Sequence, residues 1–314
     1  MNKEINEAEW QRMRRLGIGG SDIGAIIGVN PWKTPLDVFL EKTGQSPVTE
    51  PNESMKLGTA LEPFIVKRYE EATGFKCVEQ NGMYHEGCVI ANVDRIVDLG
   101  NGRTQDGNII ISKKILEAKT SRHEWEDGVP NSYEAQVHWY MGPFEDVESA
   151  DVAVYYTNGC KDPFHIFTVN RDNEVYAFLK EKAEQFWRDY VLTGKMPPPT
   201  NEDDCRRIWA RESPKKVTVA DAQILAAIDS IRKLKERMDG IEEEQTRLYT
   251  QVMKAMGDSE ILKGESGKVI ATWKAPKDSV KVNWEGVATA LHADDKLIAQ
   301  FTTIKQNSRR FVIK

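Results

Sequence analysis

The segment 109–120, IIISKKILEAKT, constrains the fold more than any other: an isoleucine-rich run passes directly into an acid–x–lysine pattern. Such a β-branched run favours a strand. On a strand, side-chain alternation sends Glu117 and Lys119 to one face and turns Ala118 into the core. Residues 88–99 (CVIANVDRIVDL) and 150–157 (ADVAVYYT) are also strand-like, and Gly100–Gly102 with the polar run to Asn108 reads as a hairpin between the first two strands. Helical patterns interleave with them. Residues 58–73 put Leu61, Phe64, Ile65 and Tyr69 on one face and close at Gly74. Residues 131–141 read as a second helix and 171–193 as a longer one, ending at Gly194 before MPPPT. This order predicts an α/β (α+β) fold, a sheet flanked by helices.

The pattern changes near residue 212, which divides the chain into 1–211 and an accessory region, 212–314. A long helix is predicted over 218–256, with Thr218 and Asp221 resembling a capping box and Gly257 behind its end. Ile224, Ile231, Met238 and Val252 share one heptad position, and Leu234, Ile241 and Leu248 the position three further on. Such a seam seeks another helix, in the chain or on a partner subunit, although Gly240 could equally split it into a helical hairpin. Two short strands follow, EILKG and KVIATWK, and then a basic tail with Lys305, Arg309, Arg310 and Lys314, whose FVIK is strand-like.

Composition excludes several classes. At 314 residues, 40% hydrophobic and 29% charged, the chain is globular in type, and no apolar run approaches the ~18 residues of a membrane span. The N-terminus lacks the apolar core of a signal peptide, so a cytoplasmic location is expected. Cys77, Cys88, Cys160 and Cys205 form no C-x-x-C pair, and the five histidines show no H-x-x-x-H spacing, which argues against a zinc or iron–sulfur site. The net charge of −6 leaves nucleic-acid binding open, since local basic patches set phosphate affinity.

The chemistry gathers in the first region. Asp94, in ANVDRIV, precedes the strand bearing Glu117 and Lys119. Two carboxylates of this kind suit a hard divalent cation such as Mg²⁺, and a lysine beside them can orient a water and offset phosphate charge. Phosphodiester hydrolysis needs those elements. Taken alone, the triplet is equally a solvated strand face, Glu62 an exposed helical glutamate and Gln136 a surface amide. The stretch RRLGIGGSDIGAIIG, residues 14–28, has glycines at 17, 19 and 20 that let backbone N–H groups approach an anion, and Ser21 is placed to cap a helix over 22–27. It matches no nucleotide-binding fingerprint. Trp32, Trp125 and Trp139 are either core or rim residues or surfaces on which DNA bases stack.

Together, W-x-x-x-R-R-x-G-I-G-G-S-D, G-T-x-L-E, D…E-A-K and Y-x-A-Q-V resemble the phage lambda-exonuclease-type, YqaJ-like viral recombinase nucleases, from Trp10 to about Arg188. These have a PD-(D/E)XK, restriction-endonuclease-like core with a central mixed sheet. The resemblance implies Asp94 and Glu117 as metal carboxylates with the Ala118 carbonyl oxygen as a further ligand, Lys119 as the lysine orienting the attacking water, Glu62 as a helical glutamate for a second metal, and Gln136 near the active centre. It implies a 5′-phosphate site at Ser21 with Arg14, by its spacing from Trp10, or Arg15, by its R-L-G context. Two Mg²⁺ ions, with Mn²⁺ able to substitute, are the implied cofactors. The implied activity is a 5′→3′ exonuclease on double-stranded DNA ends, leaving a 3′ tail for a phage single-strand annealing protein, with homo-oligomers and no membrane association. A nicking or structure-specific endonuclease, and a non-catalytic DNA-binding assembly factor, are the alternatives. Asp94 is followed by arginine where many members have glycine, and nothing beyond residue 212 belongs to the minimal nuclease.

Overall fold

The computed structural model describes residues 12–46, 52–80, 82–99, 104–105, 109–110, 114–277, 279, 282–292 and 294–303. Two compact units, Met1–Ile208 and Trp209–Lys314, make up the chain.

The first unit has a mixed α/β architecture. Helices α1 (Gly20–Ile26), α2 (Pro35–Lys42) and α3 (Glu53–Thr73) precede strands β1 (Lys76–Val78), β2 (Tyr84–Glu86), β3 (Val89–Ala91) and β4 (Arg95–Asp98). Two short strands, β5 (Thr104–Gln105) and β6 (Ile109–Ile110), pair antiparallel before β7 (Lys114–Ser121). Then come α4 (Asn131–Met141), β8 (Ser149–Tyr156), β9 (Phe164–Asn170), α5 (Asn173–Phe186) and α6 (Glu202–Ile208). Among the described residues, a five-stranded sheet has the order β1-β4-β7-β8-β9. Only β7 and β8 are parallel within it, joined through α4; the other pairs are antiparallel. The central mixed sheet flanked by helices is therefore as expected.

Alternation along β7 explains why both faces of the sheet are covered. Ile115 belongs to the larger core, with Ile23 of α1, Phe39 of α2 and Val137 and Trp139 of α4. Leu116 belongs to the smaller one, with Ile65, Val66 and Tyr69 of α3, and Ala118 packs against its edge. Glu117 and Lys119, in the middle of β7, thus emerge on the α4 side, where the large core gives way to polar groups.

Several sequence-derived boundaries move, each for a physical reason. The strand expected over 88–99 breaks into β3 and β4 with Asp94 between them, because β4 pairs with β7 only through Arg95↔Leu116 and Ile96↔Ile115. Beyond that point the Ala118 N–H donates to Asp94 Oδ2 at 2.9 Å, so a carboxylate replaces a ladder carbonyl. The strand expected over 109–120 falls into β6 and β7, and its residues 111–113 and the hairpin glycines Gly100–Gly102 lie outside the described residues. Helix α3 begins five residues early, since Asn52 caps it by accepting the Met55 N–H. The helix expected over 171–193 starts at Asn173 on an Asp172 cap, and its last turn, Trp187–Val191, is π-helical. Ser21 does not cap α1: Gly19 holds the cap position and its N–H is satisfied by Asp22 Oδ2 at 3.0 Å, leaving Ser21 inside the first turn.

In the second unit, α7 (Ala222–Met256) is one continuous helix through Gly240, capped by Asp221 alone, whose carboxylate accepts the Ile224 N–H. Ile224, Leu234, Met238, Ile241, Leu248 and Val252 of its heptad seam are exposed, and Ile231 is half-buried. The hairpin of β10 (Ile261–Lys263) and β11 (Val269–Thr272) follows, then α8 (Trp284–Ala290) and α9 (Asp295–Gln300), two short helices that the sequence reading passed over. The basic tail and FVIK lie outside the described residues. No described helix is long and apolar enough to cross a membrane.

Trp139 is fully buried and its Nε1–H donates to the Ile90 carbonyl at 2.9 Å, so it is a core residue and not a stacking surface for DNA. Trp139→Ala should destabilise the first unit by roughly 3–5 kcal/mol, read from chemical denaturation, through a large cavity and an orphaned carbonyl.

Candidate active site

Four elements converge at the middle of β7. Glu117 is almost fully buried, and its Oε1 accepts from Lys119 Nζ at 2.7 Å and from Gln136 Nε2 at 2.6 Å. Its Oε2 is buried with no hydrogen-bond partner among the described residues. Burial pushes the Glu117 carboxyl up to about 8, repulsion from Asp94 adds to the rise, and Lys119 opposes it. Lys119 is partly buried, but Glu117 and Asp94 outweigh the burial and hold its ammonium above the ordinary value. That ammonium lies 4.8 Å from the centroid of the Tyr133 ring, so the aromatic face shares its charge.

Asp94 reaches the same place from the gap between β3 and β4, anchored by the Ala118 N–H. What the structure shows of Ala118 is this amide contact. Glu62, on α3, stands near enough for Asp94 to raise its pKa, burial being the larger cause. Its Oε1 accepts from Arg95 Nη1 at 2.8 Å. The arginine that departs from the usual glycine therefore holds the helical glutamate. Among the described residues no three His, Cys, Asp or Glu side chains form a ready metal-ligand cluster. The reason is visible in these pairings: Glu62 leans to Arg95, and Glu117 to Lys119 and Gln136. A cation nevertheless suits the place, because the buried Glu117 Oε2 is an oxygen donor still lacking a partner, next to a second carboxylate, and a bound cation would favour the ionised form that burial opposes.

Gln136 also donates from Nε2 to the Tyr140 hydroxyl at 3.2 Å. Tyr140 is buried, and its phenol is held well above the ordinary value by burial and by the negative charge of Glu117 and Asp94. Tyr133, Gln136 and Tyr140 fall at i, i+3 and i+7 on α4, one helical face. Sequence reasoning found Gln136, carried Tyr133 only as part of Y-x-A-Q-V, and missed Tyr140, though that spacing was the signal that would have found it.

The glycine-rich stretch comes to the same site. A Cβ on Gly20 would lie 2.6 Å from the Tyr140 ring and 2.9 Å from Gln136 Cγ, so only glycine lets α1 start against α4. Arg14 Nη2 donates to Ser21 Oγ at 3.3 Å, and its charge is felt by Tyr140. Arg15 turns elsewhere, with its Nη1 3.6 Å from the position a Gly44 Cβ would take.

With this geometry established, comparison with known proteins is informative. The sequence pattern of the YqaJ-like viral recombinase domain matches residues 9–143. Over 287 residues, 87% of this chain and 85% of the other, the chain is 32% identical to a Bacillus subtilis (strain 168) protein named uncharacterized protein YqaJ. This chain belongs to the YqaJ-like viral recombinase family. Solved structures similar to this member include an alkaline exonuclease, LHK-Exo, from Laribacter hongkongensis, with 17% identity, a TM-score of 0.46, and coverage of 60% of this chain and 94% of that one. Another is a phage-related exonuclease from Haemophilus somnus 129PT, with 14% identity, a TM-score of 0.41, and coverage of 60% and 100%.

In this YqaJ-like chain, the segment before α1 is held by a buried charge that sequence reading left unassigned. Asp22 is fully buried; its Oδ1 accepts from Lys33 Nζ at 2.7 Å, and its Oδ2 lies 2.6 Å from Lys42 Nζ. Lys42 Nζ in turn donates to the Arg14 carbonyl at 2.8 Å. One carboxylate thereby ties α1, α2 and the Arg14 backbone together. Burial alone would raise the Asp22 carboxyl, but Lys42, Lys33 and Arg14 outweigh it and hold it far below the ordinary range. A depressed folded-state pKa supplies stability that is complete above the unfolded value of about 3.9 and lost as pH falls below it. Thermal stability should therefore drop steeply below about pH 4. Asp22→Asn should cost roughly 3–5 kcal/mol at neutral pH, because it leaves the buried Lys42 ammonium without its carboxylate while Lys33 keeps Glu41, and its acid slope should be shallower than that of the wild type.

Proposed function

We propose that this chain is a metal-dependent deoxyribonuclease that degrades one strand of duplex DNA from its 5′ end and leaves a 3′ tail for a strand-annealing protein of phage type. The observation that carries this reading is the buried, half-satisfied Glu117 carboxylate, with Asp94 beside it and Lys119 bonded to its other oxygen. A bound Mg²⁺ would supply Lewis-acid polarisation of the phosphate and a more acidic water. Asp94, Glu117 and the Ala118 carbonyl would hold it, with Glu62 contributing once released from Arg95. Lys119 holds a proton at Nζ, where it orients the attacking water and offsets charge developing on the phosphate. Gln136 fixes the Glu117 carboxylate through its own bond to Tyr140. Burial of Glu117 and Tyr140 strengthens the charge interactions there, with Lys119 partly open to solvent.

Asp94→Asn keeps an acceptor for the Ala118 N–H but removes the charge that repels Glu117 and Glu62. It should abolish digestion of linear duplex in Mg²⁺ while DNA binding and melting temperature hold or rise slightly. Lys119→Ala should reduce turnover by roughly a hundred- to a thousandfold with little change in affinity. Digestion of linear and circular duplexes side by side is the primary test. Mononucleotide release from linear ends only supports the exonuclease, cutting of circles makes the chain an endonuclease, and the absence of both leaves a binding protein.

Arg14 and Ser21, at the start of α1 and beside Tyr140, form the proposed site for the 5′-terminal phosphate. Their role there is positional: an end held at this point sets which phosphodiester reaches Lys119. A guanidinium–phosphate pair is charge-assisted, and losing it should remove roughly a 10- to 100-fold preference for 5′-phosphorylated over 5′-hydroxyl ends. Arg14→Ala should lose that preference and Arg15→Ala should retain it. The reverse result would move the phosphate site to Arg15.

A further inference from the structure

Trp32 is the most conspicuous residue that the proposed chemistry leaves unused. It is 74% exposed, although a large aromatic ring is among the side chains that gain most from burial. Nor is it loosely held. The Asn30 carboxamide oxygen accepts the N–H groups of Trp32 and Lys33 at 2.8 and 3.1 Å, an Asx turn that fixes the backbone. Pro31 precedes it, and Thr34 caps α2 two residues later. A rigid turn thus presents a bare indole.

Its surroundings give the indole a purpose. Its ring centroid is 6.3 Å from that of Tyr133, tilted by 33°. On its other sides Tyr133 contacts Trp125, at 5.5 Å and 37°, and carries the Lys119 ammonium. Trp125 is buttressed in turn by Phe167 at 5.7 Å. The aromatic row therefore runs from a supported interior to an open end, and Tyr133 links that open end to Lys119. Trp32 also forms part of the wall of a cleft of about 710 Å³ between the 30–37 segment and α6, so there is room beside the ring for a flat group.

We infer that Trp32 is a substrate-binding residue: its indole stacks on a base next to the scissile phosphate and holds the strand in register with Lys119. This inference rests on the nuclease reading above. Every base has a π-face, so such a contact is indifferent to sequence, which suits an enzyme that travels along DNA. Tyr133, backed in turn by Trp125, supports one side of the indole, which reduces the side-chain freedom that stacking would have to remove.

The test uses full-length protein and 5′-phosphorylated duplexes carrying 2-aminopurine or an abasic site at one of the terminal positions. In EDTA, where no cutting occurs, 2-aminopurine fluorescence should be quenched by wild type and by Lys119→Ala, left bright by Trp32→Ala, and partly quenched by Trp32→Phe. In Mg²⁺, Trp32→Ala should slow digestion of the normal duplex roughly 5- to 150-fold. Removing the stacked base should slow the wild type by a similar factor and leave Trp32→Ala unaffected, because each change deletes the same contact. If Trp32→Ala digests at the wild-type rate, or stays as sensitive to the abasic site as wild type, the inference is overturned while the nuclease reading stands. A wild-type chain that neither binds nor cuts these duplexes removes both.

Discussion

A carboxylate buried midway along a parallel strand pair is the constraint around which the first unit is organised. Glu117 sits on the face of β7 that carries the larger hydrophobic core, where an isolated charge would cost several kcal/mol. The fold meets that cost on one oxygen only. Lys119 and Gln136 both address Oε1, and Oε2 is left without a partner. Each of those donors depends on a different element: Lys119 on β7 itself, Gln136 on the crossover helix α4 that the parallel β7–β8 pairing requires. A parallel pair at the centre of an otherwise antiparallel sheet is thus what brings a helix across this carboxylate.

The second organising charge is Asp22, and its logic is the opposite. Its oxygens meet Lys33, Lys42 and the Gly19 N–H, a set that closes the segment before α1 onto α2. Both oxygens of Asp22 are thus partnered, whereas, among the described residues, one oxygen of Glu117 is not. Tyr140 connects the two regions, with Gly20 against its ring on one side and the Gln136 amide on its hydroxyl. The start of α1 and the amide that meets Glu117 therefore share Tyr140 as a neighbour. Arg95 adds a third charge relationship by engaging Glu62, so that one helical carboxylate is held by the residue following Asp94.

By itself the sequence determined the elements with strong local signals and the identity of the chemical groups. Alternation in β7 put Glu117 and Lys119 on one face, the pattern of 131–141 defined α4 to the residue, and the heptad pattern of the accessory region marked a helical segment, whose continuity through Gly240 the structure decided. Each of these follows from side-chain spacing along a single element, which is local information. Other features were settled by tertiary contacts. The strand expected over 88–99 broke because the Asp94 carboxylate answers an amide on β7, a partner 24 residues away. The expected Ser21 cap gave way because the Asp22 carboxylate reaches the Gly19 N–H first and is itself fixed by two distant lysines. Arg14 and Arg15 are adjacent and equivalent in sequence, and only the packing of the loop sends one to Ser21 and the other toward Gly44. Of three tryptophans that read alike, burial made Trp139 core, the aromatic row enclosed Trp125, and an Asx turn left Trp32 in solvent. Spacing determines which face a side chain takes, but which groups meet across that face depends on contacts between segments far apart in the chain, and those exist only once the sheet and its helices have closed.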